Sequence, residues 1–182
     1  MKKLVIVLVL TVLIGFSLSA QAQGPKMAIS INPIAIIINT YAGSFEYAFT
    51  NNLSAKLDLS FSPNVAWFTG IGMFGVNAEV RYYFFGGAVG GFFAGAGGGF
   101  GMVFGSYDLL GSTYSFTGFV PDVLAEVGYK WVLGKNGGFY LEPYVGYEFA
   151  FGTITETIDG VSSSAAAPFG GFLYGLNLGW AF

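Results

Sequence analysis

The sequence contains neither cysteine nor histidine. The first absence removes disulfides, a thiol nucleophile and a lipid-modified cysteine. The second removes the imidazole on which most acid–base and zinc chemistry near neutral pH relies. Charge is also scarce: 9% of residues are Asp, Glu, Lys or Arg, against about 25% in an ordinary soluble domain. No basic patch or charge block appears, so no nucleic-acid partner is expected. After the first 22 residues, no apolar run reaches the roughly 18 residues that a spanning helix needs.

What fills the chain instead is apolar and small. Hydrophobic residues make up 54%, aromatics 19%, and mean hydropathy is +0.64. That composition suits a lipid-facing protein better than a water-soluble one. A membrane protein without spanning helices has to be a closed β-barrel, because lipid offers no partner to exposed backbone groups.

The N-terminus reads as a cleaved leader. Met1-Lys2-Lys3 is followed by an apolar stretch from Leu4 to Leu18 and by the small-residue site Ser19-Ala20-Gln21-Ala22, the pattern of a secretory signal peptide. The competing reading, a membrane anchor, requires a longer stretch, roughly 20 residues. Cleavage after Ala22 leaves residues 23–182 as the barrel domain. Ten acids then face five bases, Lys26, Lys56, Arg81, Lys130 and Lys135.

Alternation with a period of two marks the strands. Phe172, Tyr174, Leu176, Leu178, Trp180 and Phe182 share one face, with Gly175, Asn177, Gly179 and Ala181 on the other. Val76, Ala78, Val80, Tyr82 and Phe84 alternate with Asn77, Glu79, Arg81 and Tyr83. From Phe139 to Phe151 the odd positions are apolar, while Tyr140, Glu142, Tyr144, Gly146 and Glu148 occupy even ones. Segments around 44–49, 54–60 and 123–133 follow suit. Short turns fall at Thr50-Asn51-Asn52, Phe85-Gly86-Gly87 and 134–138, rich in the residues that tight hairpins favour. Longer connections are expected at 63–69, 106–115 and 155–168. Residues 27–50 exceed one membrane strand of roughly 9–11. Split near Asn39-Thr40-Tyr41, they bring the total to about eight, with Pro33 expected at a bulge or edge.

These features predict an all-β, closed, up-and-down antiparallel transmembrane barrel. A soluble barrel with inverted faces would require far more surface charge. Alternation turns Glu46, Lys56, Asp58, Glu79, Arg81, Glu126, Lys130, Glu142 and Glu148 toward the lumen. An eight-stranded barrel is only wide enough for side chains to fill, and buried charges must be paired. An ion-pair network centred on Arg81 is therefore expected, structural or conducting. Gly95, Gly97, Gly99 and Gly101 also face inward. They leave room for large neighbours such as Tyr83 or Tyr144, or else form a smooth channel wall.

The C-terminal Tyr174-Gly-Leu-Asn-Leu-Gly-Trp180-Ala-Phe182 resembles the closing strand of outer-membrane barrels. Glu79-Val-Arg81-Tyr82-Tyr83-Phe84 and Ala42-Gly-Ser-Phe45-Glu46-Tyr47 resemble strands of small OmpX/OmpW-like and OmpA-transmembrane-like barrels. The resemblance implies a bacterial outer-membrane location, with outer-membrane lipid and lipopolysaccharide as surroundings. It also implies that the barrel-assembly machinery reads Tyr174, Trp180 and Phe182.

No catalytic, cofactor or metal site is expected. Gly70-Ile-Gly72-Met-Phe-Gly75 has dinucleotide-binding spacing, but that chemistry requires a following helix. Glu142 and Glu148 on one strand stand roughly 20 Å apart at about 3.3 Å per residue, too far for joint acid–base work. The expected function is structural or surface-interacting through outward loops. Trp67, Phe68 and Tyr114 are candidates there for surface contacts or for an interfacial girdle. A narrow channel for ions or small apolar molecules is the alternative.

Overall fold

The computed structural model describes residues 24–64, 70–134, 136–166 and 168–182. The leader with its cleavage site, Trp67, Phe68 and Lys135 lie outside these residues. Ten strands follow in chain order: β1 Met27–Ile31, β2 Tyr41–Ala48, β3 Leu53–Ser62, β4 Ile71–Gly87, β5 Gly90–Leu109, β6 Ser112–Val132, β7 Gly138–Ala150, β8 Thr153–Ile158, β9 Val161–Ala166 and β10 Phe169–Ala181. Every pairing is antiparallel. The sheet runs β1 through β6, then β7 and β10, and β10 returns to β1. β7 and β8 lie end to end along β6, and β9 and β10 are likewise successive halves of one long stave. The result is a closed eight-stranded antiparallel barrel.

Closure rests on a short ladder. Ala28 to Ile31 pair with Ala181 to Leu178. Met27 N–H donates to the Phe182 carbonyl at 2.9 Å, and Phe182 N–H donates back to Met27 at 2.8 Å. Beyond Ile31 the chain leaves the sheet as helix α1, Pro33–Ile37. The Asn32 side chain accepts from Ala35 N–H at 3.0 Å, and Pro33 occupies the first turn, where its missing N–H costs nothing. Ile34 to Ile38 are thus not a strand, and Pro33 begins a helix rather than marking a bulge.

Two expected loops are strands. Residues 106–115 form the tip of the β5–β6 hairpin, turning at Leu110-Gly111, and 155–166 form the β8–β9 hairpin, turning at Asp159-Gly160. Together they raise a sheet above the barrel rim. At the opposite end, the β4–β5 turn is Ala88-Val89, and Phe85 to Gly87 still belong to β4. A bulge between Tyr83 and Phe85 leaves Phe84 and Phe85 both exposed outside, as one extra residue does.

The two faces of the wall are chemically opposite. Outside, Phe45, Leu57, Val80, Phe104, Phe119, Val127, Phe149 and Trp180 are exposed. Inside, the buried residues include Glu46, Lys56, Glu79, Arg81, Glu126, Lys130 and Glu142. Toward the raised sheet the outer face changes character. Phe119 gives way to Thr117, Ser115 and Thr113, and Phe151 to Thr153, Thr155 and Thr157. Hydroxyls pair across it, Thr155 with Ser164 and Thr157 with Ser162, both at 2.8 Å. At about 3.3 Å per residue and a tilt near 40°, the apolar span from Phe119 to Trp131 is roughly 30 Å tall.

Candidate functional site

The lumen is built in tiers. At the end holding the termini it is apolar: Tyr83, Ala88, Val89, Phe93 and Tyr140 pack with Ala28, Ala48 and Ala181. Val89 sits in the β4–β5 turn at φ +68° and is 0% exposed. A branched side chain in the left-handed region is costly, on the order of 1–3 kcal/mol. Its burial across the barrel end provides the compensation.

Above that floor lies the charged tier. Arg81 on β4 is 0% exposed. Its Nε donates to Glu79 Oε1 at 3.0 Å, and its Nη1 to Glu142 Oε1 at 3.1 Å and Glu46 Oε2 at 3.4 Å. Its Nη2 donates to Glu126, and the Phe93 ring lies 4.1 Å from Cζ. Lys130 pairs with Glu142 at 2.9 Å and also with Glu46, with its ammonium over the Tyr140 ring. Neutral donors complete the shell. Ser54 Oγ and Tyr83 O–H donate to Glu46 at 2.5 and 2.6 Å, and Asn177 Nδ2 donates to Glu142 at 2.8 Å. Lys56 pairs with Asp58 at 2.8 Å.

Of the nine luminal charges expected from the sequence, eight lie in this tier or beside it. Glu148 does not: it is half-buried nearer the raised sheet, and no ion pair joins it to the other described residues. Five carboxylates, Glu46, Asp58, Glu79, Glu126 and Glu142, share three cations. The hydroxyl and amide donors make up for part of the difference. Sequence reasoning places Tyr83 in the lumen as a bulky neighbour of the glycines, but it misses the hydrogen bonds that Ser54, Tyr83 and Asn177 donate to the carboxylates. Their inward parity was the available signal.

Gly95 and Gly97 of the glycine row serve this tier rather than the tyrosines. A Cβ at Gly95 would strike the Glu79 carboxylate and come within 3.1 Å of Arg81 Cγ; at Gly97 it would lie 2.7 Å from Glu79 Cα. Tyr144 instead lies over Gly175. Beside it is a polar recess of about 40 Å³ lined by Asn32, Ser44, Asp58, Tyr144 and Asn177, room for one or two waters.

The remaining expected residues lie elsewhere. Tyr174, Trp180 and Phe182 project outward, all exposed. Tyr114 lies in strand β6 rather than in a loop, and it stacks on Tyr107, centroids 5.2 Å apart, near the hairpin tip. Gly70 to Gly75 lead into strand β4 rather than a helix, which removes the dinucleotide reading. Chemically, the charged tier is a clamp, since its hydrogen bonds and ion pairs tie β2, β3, β4, β6, β7 and β10 together.

Residues 6–155 match the family model described as Protein of unknown function (DUF3575), and the chain belongs to that family. No curated protein and no solved structure matches it.

Proposed function

We propose that this member of a family of unknown function is an outer-membrane barrel with a plugged lumen, acting as an anchor that presents its raised sheet to the outside. One observation carries the reading: the wall is apolar outward and charged inward, the reverse of a soluble barrel. The outer belt of roughly 30 Å matches the height of a lipid-facing band with aromatic margins. Tyr129 and Trp131, ring centroids 5.3 Å apart, and exposed Phe139 lie at one margin; Phe104, Phe119 and Phe151 lie at the other. The hydroxyl-rich hairpins β5–β6 and β8–β9 then stand outside, where contacts with lipopolysaccharide or another surface would be made.

The apolar floor and the Arg81 clamp argue for a plug over a narrow channel. No catalytic step is assigned to the lumen, because the carboxylates around Arg81 are already engaged.

The test is cell fractionation followed by gel migration before and after boiling, then single-channel recording of the refolded chain. The reading expects the envelope fraction, a heat-dependent migration shift and no steady conductance. Recovery in the soluble periplasmic fraction would sink the membrane reading. Cation-selective steps that change in Arg81→Ala would replace the plug with a channel.

A further inference from the structure

Between the charged tier and the raised sheet, three oxygen-bearing side chains lie on neighbouring strands, and among the described residues no cation pairs with them. Register places Asn77, Gly99 and Asp122 side by side on β4, β5 and β6, all facing the lumen. Gly99 leaves its neighbours room to converge. A Cβ there would strike the Asn77 carboxamide oxygen, and Asp122 stands directly opposite Gly99 in the ladder. Glu148 on β7 is the diagonal neighbour of Asp122, whose direct partner is Ala150. Diagonal positions on one face lie roughly 7–8 Å apart, and Glu148 is within electrostatic reach of Asp122.

Two of these oxygens are orphans. Asn77 Oδ1 and Asp122 Oδ1 are buried with no hydrogen-bond donor, and Asp122 is 7% exposed. Orphaned buried acceptors are rare in native structures and point to an unseen partner. A buried carboxylate facing a second carboxylate is costly unless positive charge joins it. The three luminal cations cannot supply that charge, because Arg81, Lys130 and Lys56 are held by their own carboxylates. Carboxylate and carboxamide oxygens are the ligands of hard cations, and waters complete their shells. Among the described residues no trio of acidic side chains is placed to hold a metal ion, so the third protein oxygen is the amide of Asn77.

We propose that Asp122, Glu148 and Asn77 form a luminal site for a hard divalent cation of the calcium class. The ion would staple β4, β6 and β7 above the Arg81 clamp, at a height where the protein's own cations give out.

The mature chain, refolded in detergent, is melted in chelator and across calcium concentrations up to roughly 10 mM, scored by loss of the heat-dependent gel shift. Calcium is expected to raise the midpoint by roughly 5–10 °C at saturation. Asp122→Asn and Glu148→Gln should each remove most of that rise, and terbium luminescence excited through the aromatic residues should be quenched by calcium. A wild-type midpoint flat in calcium overturns the proposal, since water alone then satisfies the orphans. So does a response to sodium but not calcium, or a rise that both variants retain. Should Asp122→Asn fail to refold, Glu148→Gln reads the same place.

Discussion

Arg81 is the residue on which the lumen turns. Truncating it to Ala leaves Glu79 and Glu126 without their cation and Glu46 and Glu142 with Lys130 alone. Breaking a buried ion network from one side costs about 3–5 kcal/mol, so Arg81→Ala should lower the unfolding free energy from denaturant melts by that amount. Adding Glu79→Gln and Glu126→Gln should restore part of it, because the loss is mainly uncompensated charge. Full stability in the single variant would mean the clamp holds nothing. Two glycines provide a paired steric test. A Cβ at Gly97 would press on backbone, with Glu79 Cα at 2.7 Å, whereas nothing lies within 4 Å of one at Gly171. Gly97→Ala should cost about 1–3 kcal/mol, and Gly171→Ala should stay within about 0.5 kcal/mol, both read from denaturant melts.

At the scale of elements, the two raised hairpins touch at their tips. The Asp159 carboxylate accepts from Thr113 N–H at 2.9 Å, and that bond, with a second from Ser112, holds the acid below its ordinary range. A depressed carboxylate stabilises the contact above its unfolded pKa and loses that contribution as pH falls through the folded value. The protection of the Thr113 amide against hydrogen exchange, taken relative to its intrinsic rate at each pH, should therefore fall in acid, and in Asp159→Asn at neutral pH. Protection indifferent to both would dismiss the contact. Replacing residues 155–164 with a two-residue turn should leave the boiling-dependent gel shift intact, since β7 and β10 pair without them.

The same elements mark where the sequence could be read and where it could not. Side-chain parity is fixed by the pleat, so alternation alone sent Glu46, Arg81 and Glu142 inward and Phe45, Val80 and Trp180 outward. Residues 155–164 hid their strands because Thr and Ser occupy one face and neither face is a core. α1 is too short to show a helical period; only Asn32-Pro33, a cap followed by a first-turn proline, announced it. Parity also says nothing of height. How far Glu148 stands above Glu142 relative to β4 and β6 is decided by the stagger between strands. That is why its separation from the Arg81 tier, and its nearness to Asp122, emerged only in three dimensions.

On the scale of the whole molecule, the ring is completed by Ala28 to Ile31 against Leu178 to Ala181. Removing residues 178–182 should abolish the folded gel species entirely, whereas a truncation of equal length in the β8–β9 tip should not. Equal effects of the two would deny the ladder its closing role. The first strand of the ring thus waits for the last, because β1 has no closing partner until β10 exists. A fragment that stops short of Leu178 keeps an open sheet with two bare edges. Closure is therefore all-or-none, and β10 is the element that decides it.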